Sequence, residues 1–421
     1  MGITLERANK VSAALFLTFF LQGTVGTVII PRIPQLIDQL QVNFTAWGAI
    51  IGFSGLGALV GLMFANRLIV GLGSRRVLQL MALAFALVLV PLPYITNPWI
   101  FFVMQALTAF SGACFNVALN AQAVVLQRHI NRTIVPKFHG AWSVGAASSA
   151  VLSAYLASFM PMWLNFLIVP VAIASALLWA TSRAFTNDEI GRFNDRKSPK
   201  KVSFWKSPAQ LWIVSLGWFA GVFPEAAVMD WSTVFGHKVL MLDTALSAVP
   251  YTFFIAAMIV CRLSISRLTK VIHIGIISFW GGIFGAVSMA VAVVVGPAIS
   301  SSDKIAGMLF TAAFLFIAGL GIGPMSPNFT SVSGQIKGLS TAQGLARASL
   351  VTSVFMMGAK VFMGAIAQNV NLTIAFMLPI GFFFLAAIIS GVLARGDNRS
   401  KPVVDDAFPI TGSIAIIPAD E

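Results

Sequence analysis

Residues 183–208 read RAFTNDEIGRFNDRKSPKKVSFWKSP, a stretch with seven basic and three acidic side chains. The chain is predominantly apolar on both sides of it, so this segment reads as a solvated linker that divides the sequence almost in half. Upstream, apolar runs fall near 11–31, 46–66, 77–95, 99–126, 138–159 and 163–183. Downstream they fall near 209–230, 244–262, 272–295, 305–325, 341–366 and 371–394. Each approaches or exceeds the ~20 apolar residues that a bilayer-crossing helix needs. The pattern predicts an all-α integral membrane protein with twelve transmembrane helices in two six-helix bundles. The bundles are expected over 1–183 and 209–395, the cytoplasmic linker over 184–208 and a disordered cytoplasmic tail over 396–421.

Composition excludes an ordinary soluble globule. Of 421 residues, 58% are hydrophobic and only 10% charged, against ~25% charged in soluble domains. The mean hydropathy is +0.88, so most of the surface must face lipid. The net charge of +13 does not point to nucleic acid, because the basic residues sit in short loops and not on one face of a soluble fold. They act as topology determinants instead: the even-numbered connections hold seventeen Lys and Arg and the odd-numbered ones only Arg32, Lys238 and Lys304. Basic loops are retained in the cytoplasm during insertion, so both termini are expected there, in the cytoplasmic (inner) membrane. The first apolar run continues to Ile30 with no small-residue cleavage site, which makes it a helix and not a removed signal. Cys114 and Cys261 lie in or at the end of apolar runs, and the four His residues show no ligand spacing. Neither a disulfide framework nor a metal is expected. No P-loop, nucleophile elbow or paired-carboxylate arrangement occurs, so no catalytic residues, no cofactor and no ATP-driven cycle are expected.

A repeat links the halves: Met63-x-x-x-Arg67-Leu68 ends the second span and Met258-x-x-x-Arg262-Leu263 the eighth, 195 residues later. From late in the second span run Gly61 through Asn66-Arg67-Leu68, then Gly71-Leu72-Gly73-Ser74-Arg75-Arg76. Together with the two halves and the basic linker, this resembles the major facilitator superfamily over nearly the whole chain. The resemblance implies two pseudo-symmetric bundles rocking about a central site made by helices one, four, seven and ten. It also makes Gly61, Arg67, Gly73, Arg75 and Arg76 a cytoplasmic loop motif, although Val70 stands where the common pattern has Asp. Arg32-Ile33-Pro34, Asn120-Ala121-Gln122-Ala123, Phe138-His139-Gly140-Ala141-Trp142-Ser143, and Glu225 with Asp230-Trp231-Ser232 resemble the MosC-like branch. That branch is linked to uptake of rhizopine, an inositol-type amine. Relatives there commonly carry an acid where Asn116 stands, and an Asn carries no proton.

Candidate site residues follow from cost. An ionisable group inside a span costs ~2.5–3.5 kcal/mol on insertion scales, so it is expected to face protein or a water-filled cavity. Glu225 in helix seven and Lys360 in helix eleven lie at similar depth, and as neighbours they would pair, either as a structural ion pair or as a substrate or ion site. Arg32 and Asp230 end helices one and seven at equivalent places and are read either as an outer gate or as snorkelling residues. Asn116 and Asn120, spaced i, i+4, share one face of helix four, where they bind either solute or a neighbouring helix. Gln22 has the same status. Trp218, on the face of Glu225, stacks on a sugar-like ring or packs. Asn328 follows the Gly- and Pro-rich break that ends helix ten, from Gly319 to Pro327, and is counted among the solute-binding candidates. His139 is expected to be shallow and structural.

The expected function is secondary transport of a small polar organic solute, of sugar, polyol or amino-sugar type, by alternating access. The bilayer, the solute and a coupling proton or cation are the expected partners, without nucleic acid, and the expected state is a monomer. Export of amphipathic drugs is the alternative within transport. A non-transporting receptor or scaffold would usually carry a substantial soluble domain, and the longest polar segments here are the linker and the tail.

Overall fold

A computed structural model describes residues 4–130, 134–190, 204, 207–339 and 341–396. Most of the expected linker and the expected tail, from residue 397 on, lie outside the described residues. Within them the chain is helical, with no strand. The first half comprises α1 (Leu5–Val25), α2 (Ile33–Leu40), α3 (Phe44–Phe53), α4 (Gly55–Leu72), α5 (Ser74–Leu89), α6 (Pro98–Ile130), α7 (Val135–Phe159) and α8 (Met162–Thr181). A single turn, α9 (Asn187–Ile190), follows. The second half comprises α10 (Ala209–Lys238), α11 (Val249–Leu268), α12 (Ile274–Ser300), α13 (Lys304–Ile322), α14 (Met325–Ser333), α15 (Thr341–Asn369), α16 (Leu372–Ala375) and α17 (Met377–Gly396).

Eleven helical stretches among the described residues are long and apolar enough to cross a membrane. The remaining expected span, 138–159, is α7, a continuous helix of 25 residues. Its five serines, Ser143, Ser148, Ser149, Ser153 and Ser158, lower its hydropathy. They have a structural return, because small residues let helix backbones approach. Ser149 donates to the Thr24 carbonyl at 3.0 Å and Ser153 to the Val28 carbonyl at 2.8 Å, both on the first span. A Cβ on Gly23 would lie 2.1 Å from the Trp142 carbonyl oxygen, and one on Gly145 would lie 1.9 Å from that of Phe20. α1 and α7 therefore run backbone against backbone.

Several spans extend beyond their apolar cores. The first continues through a 3-10 turn and α2 to Leu40. The tenth is broken at Gly323 and Pro324 into α13 and α14, as the glycine and proline content predicts. The eighth runs on to Leu268, which places Arg262 inside α11 and not in the following loop.

The chain divides into two compact units. The first is Met1–Arg196 with Gly236–Lys238 and Leu242–Thr252; the second is Lys197–Phe235, Val239–Met241 and Phe253–Glu421. In the first, α6 packs on α4 through Gly57 and Gly61, where an added Cβ would lie 1.9 Å from the Ala106 carbonyl oxygen and 2.6 Å from that of Phe110. In the second, α12 crosses α13 at Gly281 and Gly321, each of which faces the other's backbone. α10 lies on α14, with Gly217 and Gly221 opposite Phe329.

Candidate functional site

Glu225, Asp230 and Lys360 in the second unit each have an ion-pair partner, and Glu225 does not join Lys360. Glu225 takes a hydrogen bond from the Arg262 guanidinium at 2.9 Å, with both side chains mostly buried. The Lys360 ammonium lies 2.7 Å from Asp230 Oδ2, with the two side chains 19% and 13% exposed. That approach falls outside hydrogen-bond angles, so the attraction is ionic. The expected pairing is corrected for a geometric reason. Five residues on a helix turn about 140° around its axis, so Glu225 and Asp230 face different neighbours even though both belong to α10. Similar depth alone does not make partners. Arg262 escaped notice because it stands where the apolar run of its helix stops, and an arginine there reads as a loop anchor. Its long stem carries the guanidinium back into the helix packing. Pro224, immediately before Glu225, lies inside α10 and leaves the Ala220 carbonyl without its helical donor.

Arg32 and Asp230, the two expected gate residues, are each engaged within their own unit. Arg32 is 1% exposed, and its guanidinium donates to Gln35 Oε1 at 2.9 Å, to the Met160 carbonyl at 2.5 Å and to Asn165 Oδ1 at 3.4 Å, all within the first unit. Asp230 is engaged by Lys360 in the second. Arg32 stands at the start of α2, a helix with five buried residues, and its bonds to Met160 and Asn165 hold it inside the packing. Asp38 and Lys238 form an exposed pair 3.1 Å apart, worth at most ~1 kcal/mol in water.

In the first unit, Asn120 donates through Nδ2 to the Asn116 backbone carbonyl at 2.9 Å and to Asn116 Oδ1 at 2.8 Å. Those two bonds fix the orientation of the amide and leave Oδ1 of Asn120 buried without a partner among the described residues. Gln22 Oε1 and His139 Nε2 are left in the same condition. The His139 ring meets that of Phe19 on α1 edge-on at 5.3 Å. α1 packs on both α6 and α7, so these polar atoms belong to three associated helices. A buried acceptor without a donor costs about 1–3 kcal/mol, a cost that a bound hydroxyl or ammonium would remove.

Two further candidates have partners within the second unit. Trp218, partly buried, packs against the cluster of Leu211, Val214, Ile336 and Ala348 and so supports α10. Asn328 is 2% exposed and donates to Ser390 Oγ at 3.2 Å, tying α14 to α17.

The loop motif holds the end of the first bundle. Gly73 has φ +84, and a Cβ there would lie 1.8 Å from Asn187 Oδ1. Gln122, whose role the sequence did not disclose, donates to Ser74 Oγ and the Phe185 carbonyl and accepts from the Phe185 N–H. Arg67 sits over the Phe64 ring at 5.6 Å, while Arg75 is half-buried and Arg76 exposed. Thr186 and Glu189 cap each other across α9, and Glu189 accepts from Arg7 at 2.7 and 2.9 Å. The Arg7 hydrogen bonds hold the Glu189 carboxyl down at about 2. A carboxylate depressed in the folded state stabilises fully above its ordinary value of 4.5 and loses that contribution as pH falls toward about 2. Thermal melts of the purified parent should therefore fall more steeply through that window than those of Glu189→Gln. The variant should be less stable at pH 7 by about 1 kcal/mol or less, since the pair is partly exposed. Equal slopes would remove the pair from the account.

Residues 15–339 match the Major Facilitator Superfamily. An uncharacterized transporter of Sinorhizobium fredii, y4wD, is 27% identical over 405 residues, which are 91% of this chain and 97% of that protein. The membrane protein MosC of Rhizobium meliloti is 22% identical over 398 residues, 92% of each chain. A crystal structure of the nucleoside transporter NupG superposes with a TM-score of 0.72 at 12% identity, covering 91% of this chain and 99% of that one. At that identity the likeness concerns the fold. The family match extends from α1 into the stretch after α14, relatives align nearly end to end, and the helices are those of a multi-pass membrane protein, so the chain belongs to the major facilitator superfamily of transporters.

Proposed function

We infer that the protein carries a small polar organic solute, of sugar, polyol or amino-sugar type, by alternating access as a secondary transporter. The observation that carries this reading is the pair of buried, unpartnered amide oxygens on Gln22 and Asn120. Acceptors held ready in this way suit a ligand rich in hydroxyl or ammonium donors. Asn116 extends the same amide face, and in the second unit Glu225, Asp230 and Lys360 supply charge that a solute or a coupling proton or cation would engage. The resemblance of the chain's motifs to the MosC-like branch implies a solute of this size and polarity. Export of amphipathic compounds would be favoured by a broad apolar lining, which these residues do not offer.

Proteoliposomes given labelled polyols, amino sugars and, as the counter-case, an amphipathic cation, with and without a pH gradient, test the reading. Uptake of a polyol or amino sugar that falls strongly in Asn120→Ala and Gln22→Ala is expected. Movement of the amphipathic cation alone would overturn the assignment.

This reading includes a monomer in the cytoplasmic membrane with both termini inside. Single cysteines at Lys238 and Lys270, in a background without Cys114 and Cys261, should then label from opposite sides. Labelling of both from one side would refute the topology.

A further inference from the structure

Outside the site just described, the second unit bears an apolar cleft of about 520 Å³ on its lateral face, among α11, α12 and α13. Cys261 and Leu268 of α11, Ile276, Trp280 and Phe284 of α12, and Leu320 of α13 line it. The cleft has a cause in the backbone. Gly281 and Gly321 bring α12 and α13 into backbone contact, while larger side chains, Trp280 and Phe284 among them, stand out beside the crossing at 53% and 61% exposure. From Ile274 at the start of α12 to Phe284 the helix rises about 15 Å, half of the ~30 Å hydrocarbon core and so the depth of one leaflet.

Basic groups mark one end of the cleft. Arg267 and Lys270 are exposed at the end of α11 beside Leu268, and neither has an ion-pair partner among the described residues. Arg267 lies in the last turn of α11 and Lys270 in the short connection to α12, on the membrane face expected to carry the basic loops. An apolar slot one leaflet deep, with two unneutralised cations at the headgroup level, matches an acyl chain below an anionic headgroup. We propose that this cleft is a binding site for an anionic diacyl phospholipid, its tail against Trp280 and Phe284 and its phosphate on Arg267 and Lys270. Charge complementarity selects the headgroup, since a neutral zwitterion would fill the slot without satisfying the cations. The site is separate from the solute-binding reading and does not depend on it.

Trp280 is its own reporter. Parent protein and Trp280→Phe are reconstituted in phosphatidylcholine vesicles holding increasing fractions of mid-chain dibrominated phosphatidylglycerol or dibrominated phosphatidylcholine. The fluorescence difference between the two proteins isolates Trp280. A basic residue next to an anionic headgroup is worth about a fivefold preference, so half-quenching by the brominated phosphatidylglycerol is expected at a mole fraction lower by roughly tenfold or more. In Arg267→Gln/Lys270→Gln the two brominated lipids should quench alike. Equal quenching in the parent overturns the proposal, as does a preference that survives in the double variant. Should Trp280→Phe fold poorly, Phe284→Trp, added to the parent, supplies a second reporter in the same slot, and the same two outcomes decide.

Discussion

Asp230→Asn is expected to remove most of the folded transporter from the membrane, and adding Lys360→Met to it is expected to restore the yield. The ammonium and carboxylate lie 2.7 Å apart and are both largely buried. Breaking such a pair by removing one member leaves an uncompensated charge and costs roughly 3–5 kcal/mol, whereas removing both largely relieves the penalty. Set against a total stability of about 5–15 kcal/mol, the single loss is severe. Glu225→Gln paired with Lys360→Met distinguishes this arrangement from the one that depth alone suggests. That double variant should be worse than either single one, because it strands Asp230 and Arg262 together. Rescue by Glu225→Gln/Lys360→Met, with none from Asp230→Asn/Lys360→Met, would reverse the assignment. Uptake measured in the well-folded double variant separates a structural pair, which would recover transport, from a coupling group, which would not.

The spans, the two halves and the broken tenth helix are legible in the sequence because hydropathy and proline act locally. What hydropathy cannot express is direction around a helix axis. Glu225 and Asp230 both read as acids on the seventh span, and the step of five residues that turns them toward α11 and α15 is the information needed to choose partners. Arg32 shows a second limit. An arginine at the end of an apolar run signals an interface, unless acceptors elsewhere in the fold take it in, and here Gln35, Met160 and Asn165 do so. Gln122 shows a third: its hydrogen bonds reach Ser74 and Phe185, far away in sequence. Among the solute-binding candidates, Asn116 and Asn120 lie together as their i, i+4 spacing requires. Trp218 and Asn328 are drawn into packing that only the fold defines.

The crossing of α1 and α7 carries the second large expectation. A methyl group on Gly145 would lie 1.9 Å from the Phe20 carbonyl oxygen, and no flexible side chain stands there to move aside. The helices would have to part by at least about 1 Å, since real contacts of this kind stay beyond 3.0 Å. Overpacking of this sort costs about 1–3 kcal/mol. Parting also lengthens the Ser149 and Ser153 bonds to the first span, each worth ~0.6 kcal/mol in a membrane helix pair. Gly145→Ala should therefore destabilise the protein by roughly 2–4 kcal/mol, and Gly145→Leu should abolish folded protein. Gly140 lies on the same helix with nothing within 4 Å of a built Cβ. There the substitution to Ala should be neutral or stabilise by up to ~1 kcal/mol through lost backbone entropy. Melting curves of the two alanine variants in detergent decide the matter. If Gly145→Ala melts with the parent, α1 and α7 do not touch as described. If Gly140→Ala falls as far as Gly145→Ala, the loss belongs to the helix as a whole and not to its crossing.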